Sequence, residues 1–349
     1  NMIKRYLLAS LASVVLLQGH AQAQSVQDFY KGKTLRLIVG FGAGGAYDAY
    51  TRLLARHMGN HIPGSPTVVV QNMPGAGSVV SANYIFNIAP KDGTVLGAFH
   101  QRIPVEPKLR PTKQLRYDGR NFTWIGSMSK NISVCVTWHK SGLKTLADLM
   151  GREVTAGASS NVDSAAVFAR ATNAILGTKI RLFTGYGSEE TNLALLRGEV
   201  EARCGWGYAS LVATKSEWLK NNQVFIPLVF GSQRLKALPE TPTLMELAKT
   251  PEHKKTLEVL FATQDIARPV AGPPGLPKDR TAALRTAFDK ALADPQLLAD
   301  AKKSAIDIEP VTGGEVEKTI NGLYKLPDEI YAQVRTFFAP VEGETKRKK

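Results

Sequence analysis

The chain has two cysteines in 349 residues. That excludes a disulfide-framework fold and a four-thiolate metal site. It has no G-x-S-x-G elbow, no H-E-x-x-H pair and no C-x-x-C. The common motif-level signs of a serine hydrolase, a zinc protease and a thiol oxidoreductase are therefore missing. Beyond the first 23 residues, no segment is apolar for the ~20 residues that a membrane-spanning helix needs. Negative charge is the scarcer sign, with 30 Asp and Glu against 44 Lys and Arg, a net charge of +14. Such a balance favours anionic partners in general without implying nucleic acid. The rest is ordinary: 44% hydrophobic and 21% charged, with 30 Gly and 19 Pro. Disordered, collagen-like and coiled-coil chains are excluded, and the length suggests two domains.

The first segment reads as a leader. Lys4 and Arg5 precede an uncharged stretch over residues 6–17, and Ala21-Gln-Ala23 comes after it. Basic start, apolar middle and small-x-small end describe a secretory signal peptide, with cleavage expected after Ala23. No twin-arginine pair is present, so export as an unfolded chain without a preloaded cofactor is expected. Residues 24–349 are then expected to work outside the cytoplasm, in the periplasm, and no nucleic acid partner is expected. That placement weakens any reading that needs NAD or ATP.

Beyond the leader the chain alternates between strand and helix. Leu35-Arg-Leu-Ile-Val39 runs into Gly40-Phe-Gly-Ala-Gly-Gly45 and a helix over 47–58. Thr67-Val-Val-Val70 runs into Gln71-Asn-Met-Pro-Gly-Ala-Gly77 and a helix over 78–88, and a third strand covers 94–99. Later, strands over 153–156 and 180–183 lead through small-residue loops into helices over 163–176 and 189–197. Further strands are expected over 132–136, 200–204 and 224–230. Strands alternating with helices of this length imply βαβ units and parallel sheets. Two long helices are expected near the end, over 279–304 and 314–338. The pattern divides into a lobe of 24–126 plus 232–349 and a second lobe of 127–231. Two crossings between them form a hinge with a cleft.

Ligands of open parallel sheets bind beyond the carboxyl ends of the strands. Here four strand ends pass through small-residue loops into helix N-termini, whose unpaired N–H groups and positive dipole end suit an anion. The added groups are mostly neutral hydroxyls, including Ser78, Ser159, Ser160 and Thr184. His100 and Arg102 lie just past the third strand, where Arg102 suits pairing with a carboxylate. Tyr47 and Asp48 open the first helix, and Asp48 is expected either to cap that helix or to bond loop amides, fixing the loop shape. Trp206 and Tyr208 come just after a strand, and Trp206 is a candidate cleft wall for an apolar or aromatic ligand body. The Gly40–Gly45 loop also matches G-x-G-x-x-G, but Gln71 and Asn72 stand where a dinucleotide site wants an acid. His57 and His61 read as residues at a helix C-terminus rather than a metal pair. No cofactor and no metal are expected. Cys135 and Cys204 both fall on second-lobe strands, either as a disulfide or as two buried thiols.

Several of these segments together resemble one family, the solute receptors of tripartite tricarboxylate transporters, also called the Bug family of periplasmic binding proteins. They are Ile38-Val-Gly-Phe-Gly-Ala-Gly-Gly45 with Asp48, Val68-Val-Val-Gln-Asn-Met-Pro-Gly-Ala-Gly77, Ala89-Pro-Lys-Asp-Gly93, Gly185-Tyr-Gly-Ser188 through Leu195-Leu-Arg-Gly-Glu199, and Pro239-Glu-Thr-Pro-Thr243. The resemblance implies an α/β, two-lobed periplasmic binding protein fold of class II. Its two doubly wound sheets are joined by a hinge and close like a flytrap. It implies a first-lobe contact set of Phe41, Gly42, Ala43, Gly44, Gly45, Ala46, Tyr47 and Asp48, with Asn72, Gly75, Ala76 and Gly77. Together these hold a ligand carboxylate. Ser159, Ser160, Asn161, Thr184, Gly185 and Tyr186 are implied to contact the rest of the ligand. The family commonly carries a proline where this chain has Gly40, and Cys204-Gly-Trp-Gly-Tyr208 also departs from its pattern. The implied function is a non-enzymatic receptor, a monomer, that delivers a di-, tri- or aromatic carboxylate to a membrane permease. The alternatives are a secreted α/β enzyme acting on a carboxylate and a ligand-binding sensor component.

Overall fold

The computed structural model describes residues 25–346, so the expected leader over 1–23 lies outside the described residues. Among the described residues, twelve strands form two six-stranded sheets. The first sheet holds β1 (Thr34–Val39), β2 (Thr67–Asn72), β3 (Val95–Ala98), β4 (Thr123–Ser127), β10 (Pro269–Gly272) and β11 (Val311–Thr312). The second holds β5 (Ser133–Trp138), β6 (Glu153–Ala158), β7 (Lys179–Thr184), β8 (Ala202–Gly207), β9 (Val224–Phe230) and β12 (Thr345–Lys346).

Both sheets have one construction. In the first, β2, β1 and β3 lie side by side and parallel, then β10 and β4 join antiparallel. In the second, β7, β6 and β8 are parallel, then β5 and β9 join antiparallel. Strand order therefore reverses beside β1 in one sheet and beside β6 in the other, and the crevice at such a point is where ligands of open α/β sheets bind. The interior strand β1 is buried on both faces. Leu35, Leu37 and Val39 pack in one apolar cluster, and Ile38, on the opposite face, packs with Ile85, Phe99 and Trp124 in another. Near-continuous apolar strands are what parallel sheets covered on both sides require.

Helix ends carry the expected signals. Asp163 caps Ser164–Leu176 through the Ala166 N–H, and that helix stops at Gly177 in the left-handed conformation, φ 70°. The two long late helices are each broken. Asp294 separates Lys278–Ala293 from the helix Pro295–Lys303, and residues 325–327, ending in Pro327, separate Gly313–Tyr324 from Asp328–Thr336. Proline opens a helix readily but cannot continue one. The strand β8 runs on to Gly207, past the expected end at Cys204. No described helix is long and apolar enough to cross a membrane.

The chain passes between sheets over 128–132 and returns over 264–268, and these segments are bonded side by side. Asn131 N–H donates to Gln264 O at 2.9 Å, Ala267 N–H to Ser129 O at 3.1 Å, and Met128 N–H to Arg268 O at 3.1 Å. The late residues do not all stay with the first sheet. Thr345 and Lys346 pair parallel with Phe183 and Thr184, and Ile330, Tyr331 and Phe337 pack in a cluster with second-sheet residues. Backbone pairing satisfies groups at the edge of β7 that helix packing alone would leave open. The sulfurs of Cys135 and Cys204 are bonded, across the neighbouring strands β5 and β8, and no described cysteine is free.

Candidate functional site

The loop after β1 is exposed at Gly42, Ala43, Gly44, Gly45 and Ala46. It is held from beneath by a polar lock centred on the buried Asp48. Asp48 accepts the Gly44 N–H at 2.9 Å and Arg52 Nε at 2.9 Å. Asn72, at the end of β2, donates to Asp48 Oδ1 at 2.8 Å and to Phe41 O at 2.9 Å, and it accepts from Arg52 at 3.0 Å. The Arg52 hydrogen bond holds the Asp48 carboxyl down at about 2, and the Gly44 and Asn72 donors reinforce it against its burial. Asp48 therefore shapes the loop and is ionised at any physiological pH.

The loop after β2 runs through four successive positive φ angles: Gly75 at 147°, Ala76 at 46°, Gly77 at 62° and Ser78 at 78°. Left-handed backbone is costly for Ala and Ser and persists only where the surroundings fix it. Here Ser78 is fully buried, its Oγ accepting the His100 N–H at 3.0 Å and donating to Gly40 O at 3.3 Å. Gly40 must be glycine for this contact, because a Cβ there would lie 2.3 Å from Ser78 Oγ. Its N–H also donates to Ala98 O at 3.1 Å, a bond that proline could not make. Gly40→Ala is expected to destabilise the protein by about 1–3 kcal/mol and to displace both loops together. An unchanged melting temperature would sink that expectation.

Past β3, His100 Nδ1 accepts the Arg102 N–H at 3.1 Å, which puts the ring proton on Nε2. The ring lies 6.1 Å from Phe41 and 5.8 Å from Tyr47. Burial, then the charges of Arg102, Arg268 and Arg110, press its pKa down to about 3. An unfolded histidine titrates near 6.5, so between pH of about 6.5 and 3 the unfolded chain binds the extra proton. Stability must then fall as pH falls through that window, by up to about 1.4 kcal/mol per unit from this group. His100→Gln is expected to lose about 1–2 kcal/mol less than the native chain between pH 7 and 5, as read by urea titration. Equal losses would show that His100 does not carry the effect.

Tyr47 stacks on Phe41 at 4.4 Å, accepts the Gln101 N–H at 3.2 Å and donates to Ala267 O at 3.2 Å. Its hydroxyl ties the first loop to the returning hinge segment, and burial raises its pKa. Over the same ring, at 4.3 Å, sits the Arg268 guanidinium, which also covers Tyr50 at 4.9 Å. Arg268 was not visible as a site residue in the sequence. It stands beside a short strand 168 positions after His100, and only the hinge brings the two together.

In the second lobe, Ser159 is bonded through its N–H, at 2.6 Å, and its hydroxyl to Asp163. Asn161 faces Arg170 through both its backbone and side-chain oxygens. Ser160 and Gly185 are exposed, while Thr184 and Tyr186 are buried. Trp206 is 5% exposed, packed at 6.3 Å from Trp218 with the Arg203 guanidinium 4.2 Å from its ring. The two lobes meet where Arg102 Nη1 donates to Val162 O at 3.3 Å. The space left beside Ala76, Gly77, His100 and Arg102 within the first lobe is about 20 Å³, room for about one water. A larger cavity, about 1290 Å³, lies elsewhere, lined by Lys130, Ile132, Tyr208, Asp265 and Glu309 among others, and it contains none of the expected site residues.

His57 and His61 bond separate carboxylates, Asp300 at 3.1 Å and Asp294 at 3.0 Å. Among the described residues no group of three or more His, Cys, Asp or Glu could hold a metal ion.

Comparison with known proteins gives this architecture a family. A UPF0065 protein from the TAR-I ttuE-ttuC' intergenic region of Agrobacterium vitis is 26% identical over 270 residues, covering 75% of this chain and 74% of that protein. The crystal structure of a TctC solute binding protein from Polaromonas superposes with a TM-score of 0.69 at 20% identity, over 88% of this chain and 98% of that one. An R. palustris protein solved with adipate superposes at 0.59 and 18% identity, over 90% and 99%. These similar structures show a periplasmic binding protein fold. The model of the TctC family, the tripartite tricarboxylate transporter family receptors, matches residues 51–321, most of the chain. The chain thus belongs to this family of solute-binding receptors, whose members are binding proteins and not enzymes.

Proposed function

We propose that this receptor binds a small organic carboxylate between its lobes and delivers it to the membrane permease of a tripartite transporter. The observation that carries the reading is the pair of loops after β1 and β2. Their exposed residues 42–46 and 76–77 are pre-shaped from beneath by Asp48, Asn72 and Ser78. Amides fixed before the ligand arrives bind an anion without an ordering cost at that moment. The Arg102 and Arg268 guanidiniums flank a neutral His100, which adds positive charge without an imidazolium. Adipate in a structural neighbour supports the same ligand class.

We place the moving parts as a first lobe carrying the 41–48, 72–78 and 100–102 contacts and a second lobe carrying 159–161 and 184–186. Ligand shifts the population toward the closed form, and no bond is broken. Secretion by the leader, with cleavage after Ala23, puts the receptor on the outer side of the permease.

The test is a thermal-shift screen of residues 24–349, unfolded and refolded to strip any retained solute. It is run against adipate, malate, citrate, aromatic acids, amino acids and sugars. At about 100 times its Kd a ligand adds roughly 2.7 kcal/mol, a rise of several degrees. A response confined to one class of acid supports the reading, and no response to any acid overturns it.

A further inference from the structure

Arg170, on the helix Ser164–Leu176, has a side chain 3% exposed and spends all of its donors inside the protein. Nη1 donates to Asn161 O at 2.7 Å and to Phe337 O at 2.8 Å. Nη2 donates to Asn161 Oδ1 at 3.1 Å and to Glu344 Oε2 at 2.6 Å, while Nε donates to Glu344 Oε1 at 2.7 Å. The Glu344 side chain is 7% exposed. Two residues that are 174 positions apart thus make a buried, bidentate charge pair. The next residues, Thr345 and Lys346, extend the sheet beside Phe183 and Thr184.

One late segment therefore grips both second-lobe loops. It reaches the loop after β6 through Arg170 and Asn161, and the end of β7, where the next loop starts, through strand pairing. Those loops are bonded to each other as well, Gly185 N–H to Ser159 O and Tyr186 N–H to Ala158 O, each at 3.2 Å. The same segment reaches the first lobe, with the Phe338 ring 5.8 Å from the Arg102 guanidinium that touches Val162. Fold stability does not explain the charge pair, because apolar side chains of similar volume commonly fill such a place equally well. What an apolar pair could not supply is the fan of hydrogen bonds onto Asn161, in a loop whose neighbours Ser160 and Val162 are exposed.

We infer that residues 337–346 are a strap, and that Arg170 and Glu344 are positioning residues which hold the second-lobe loops in their ligand-ready shape. The link from loop shape to affinity rests on the proposed carboxylate receptor function; the strap itself does not. Hydrogen exchange on the whole chain, without added ligand, tests it directly. Two variants are compared with the native protein: Glu344→Gln, and the double change Arg170→Met with Glu344→Leu, which keeps the site filled if the single change does not fold. Exchange over 159–163 and 183–188 is expected to rise at least about fivefold in either folded variant, with 42–46 and 75–78 unchanged. Calorimetric titration with adipate is expected to show a Kd about tenfold weaker. Unchanged exchange in those two loops overturns the strap, and so does a uniform rise across the chain, which would mark the pair as merely structural. If adipate fails to bind the native protein, that result bears on the proposed ligand and not on the strap, which the exchange result decides.

Discussion

Replacing Cys135 and Cys204 together by alanine is expected to lower stability by about 4 kcal/mol, the largest effect of any substitution considered for this chain. The two residues are separated by 69 positions, and their bond closes a loop that contains β6, β7 and both second-lobe candidate loops. Cross-linking a chain over that span removes much of the freedom of the unfolded state, and the native strands already hold the pair side by side. Both residues are fully buried. Reductant should therefore act slowly on the native protein and fully on the unfolded one. Urea titration of native and double-alanine protein, each with and without reductant, reads the effect. The native protein should lose its advantage only when unfolded in reductant, and equal midpoints under oxidising conditions would refute the expectation.

Much of the first lobe was legible because its signals are local. Apolar runs at β1 and β2, each leading into glycines and then a helix, state a parallel βαβ unit in the chain itself. The role of Asp48 came from the same logic, since a carboxylate in the first turn of a helix next to a glycine loop bonds loop amides. Other features depended on distant chain segments. β10 is four residues long and pairs antiparallel between β3 and β4, so no alternation or parallel signature marks it. The helix Pro251–Asp265 buries every residue from Thr256 to Gln264 except Glu258, three of the buried ones polar, and a helix buried most of the way round shows no clear stripe. Trp206 is a candidate cleft wall by its place at a strand end, and the helix after β8, which carries no such signal, brings Trp218 against it. Arg170 and Glu344 carried no signal at all, since an ion pair across 174 residues is set by the sheet edge and not by any spacing.

Gln264→Met is expected to cost about 2–4 kcal/mol, with the change centred on the hinge. Gln264 is 1% exposed. Its Oε1 accepts the Ser133 N–H at 2.9 Å, and its Nε2 donates to Phe230 O at 2.7 Å. Ser133 and Phe230 are partners across β5 and β9, both buried, at the end of the sheet where the chain enters and leaves the second lobe. The amide thus completes a strand pair that has run out of backbone. Methionine keeps the volume but satisfies neither group, and each buried backbone group left unpaired costs about 1–3 kcal/mol. The backbone bond from Asn131 to Gln264 survives the change, so the lobes stay linked but the link loosens. Urea titration should show the loss of stability, and hydrogen exchange should show faster opening over 131–133 and 228–231 than elsewhere. A loss below about 1 kcal/mol would mean that water reaches both groups once the amide is gone, and the hinge would then owe its order to the paired crossing segments alone.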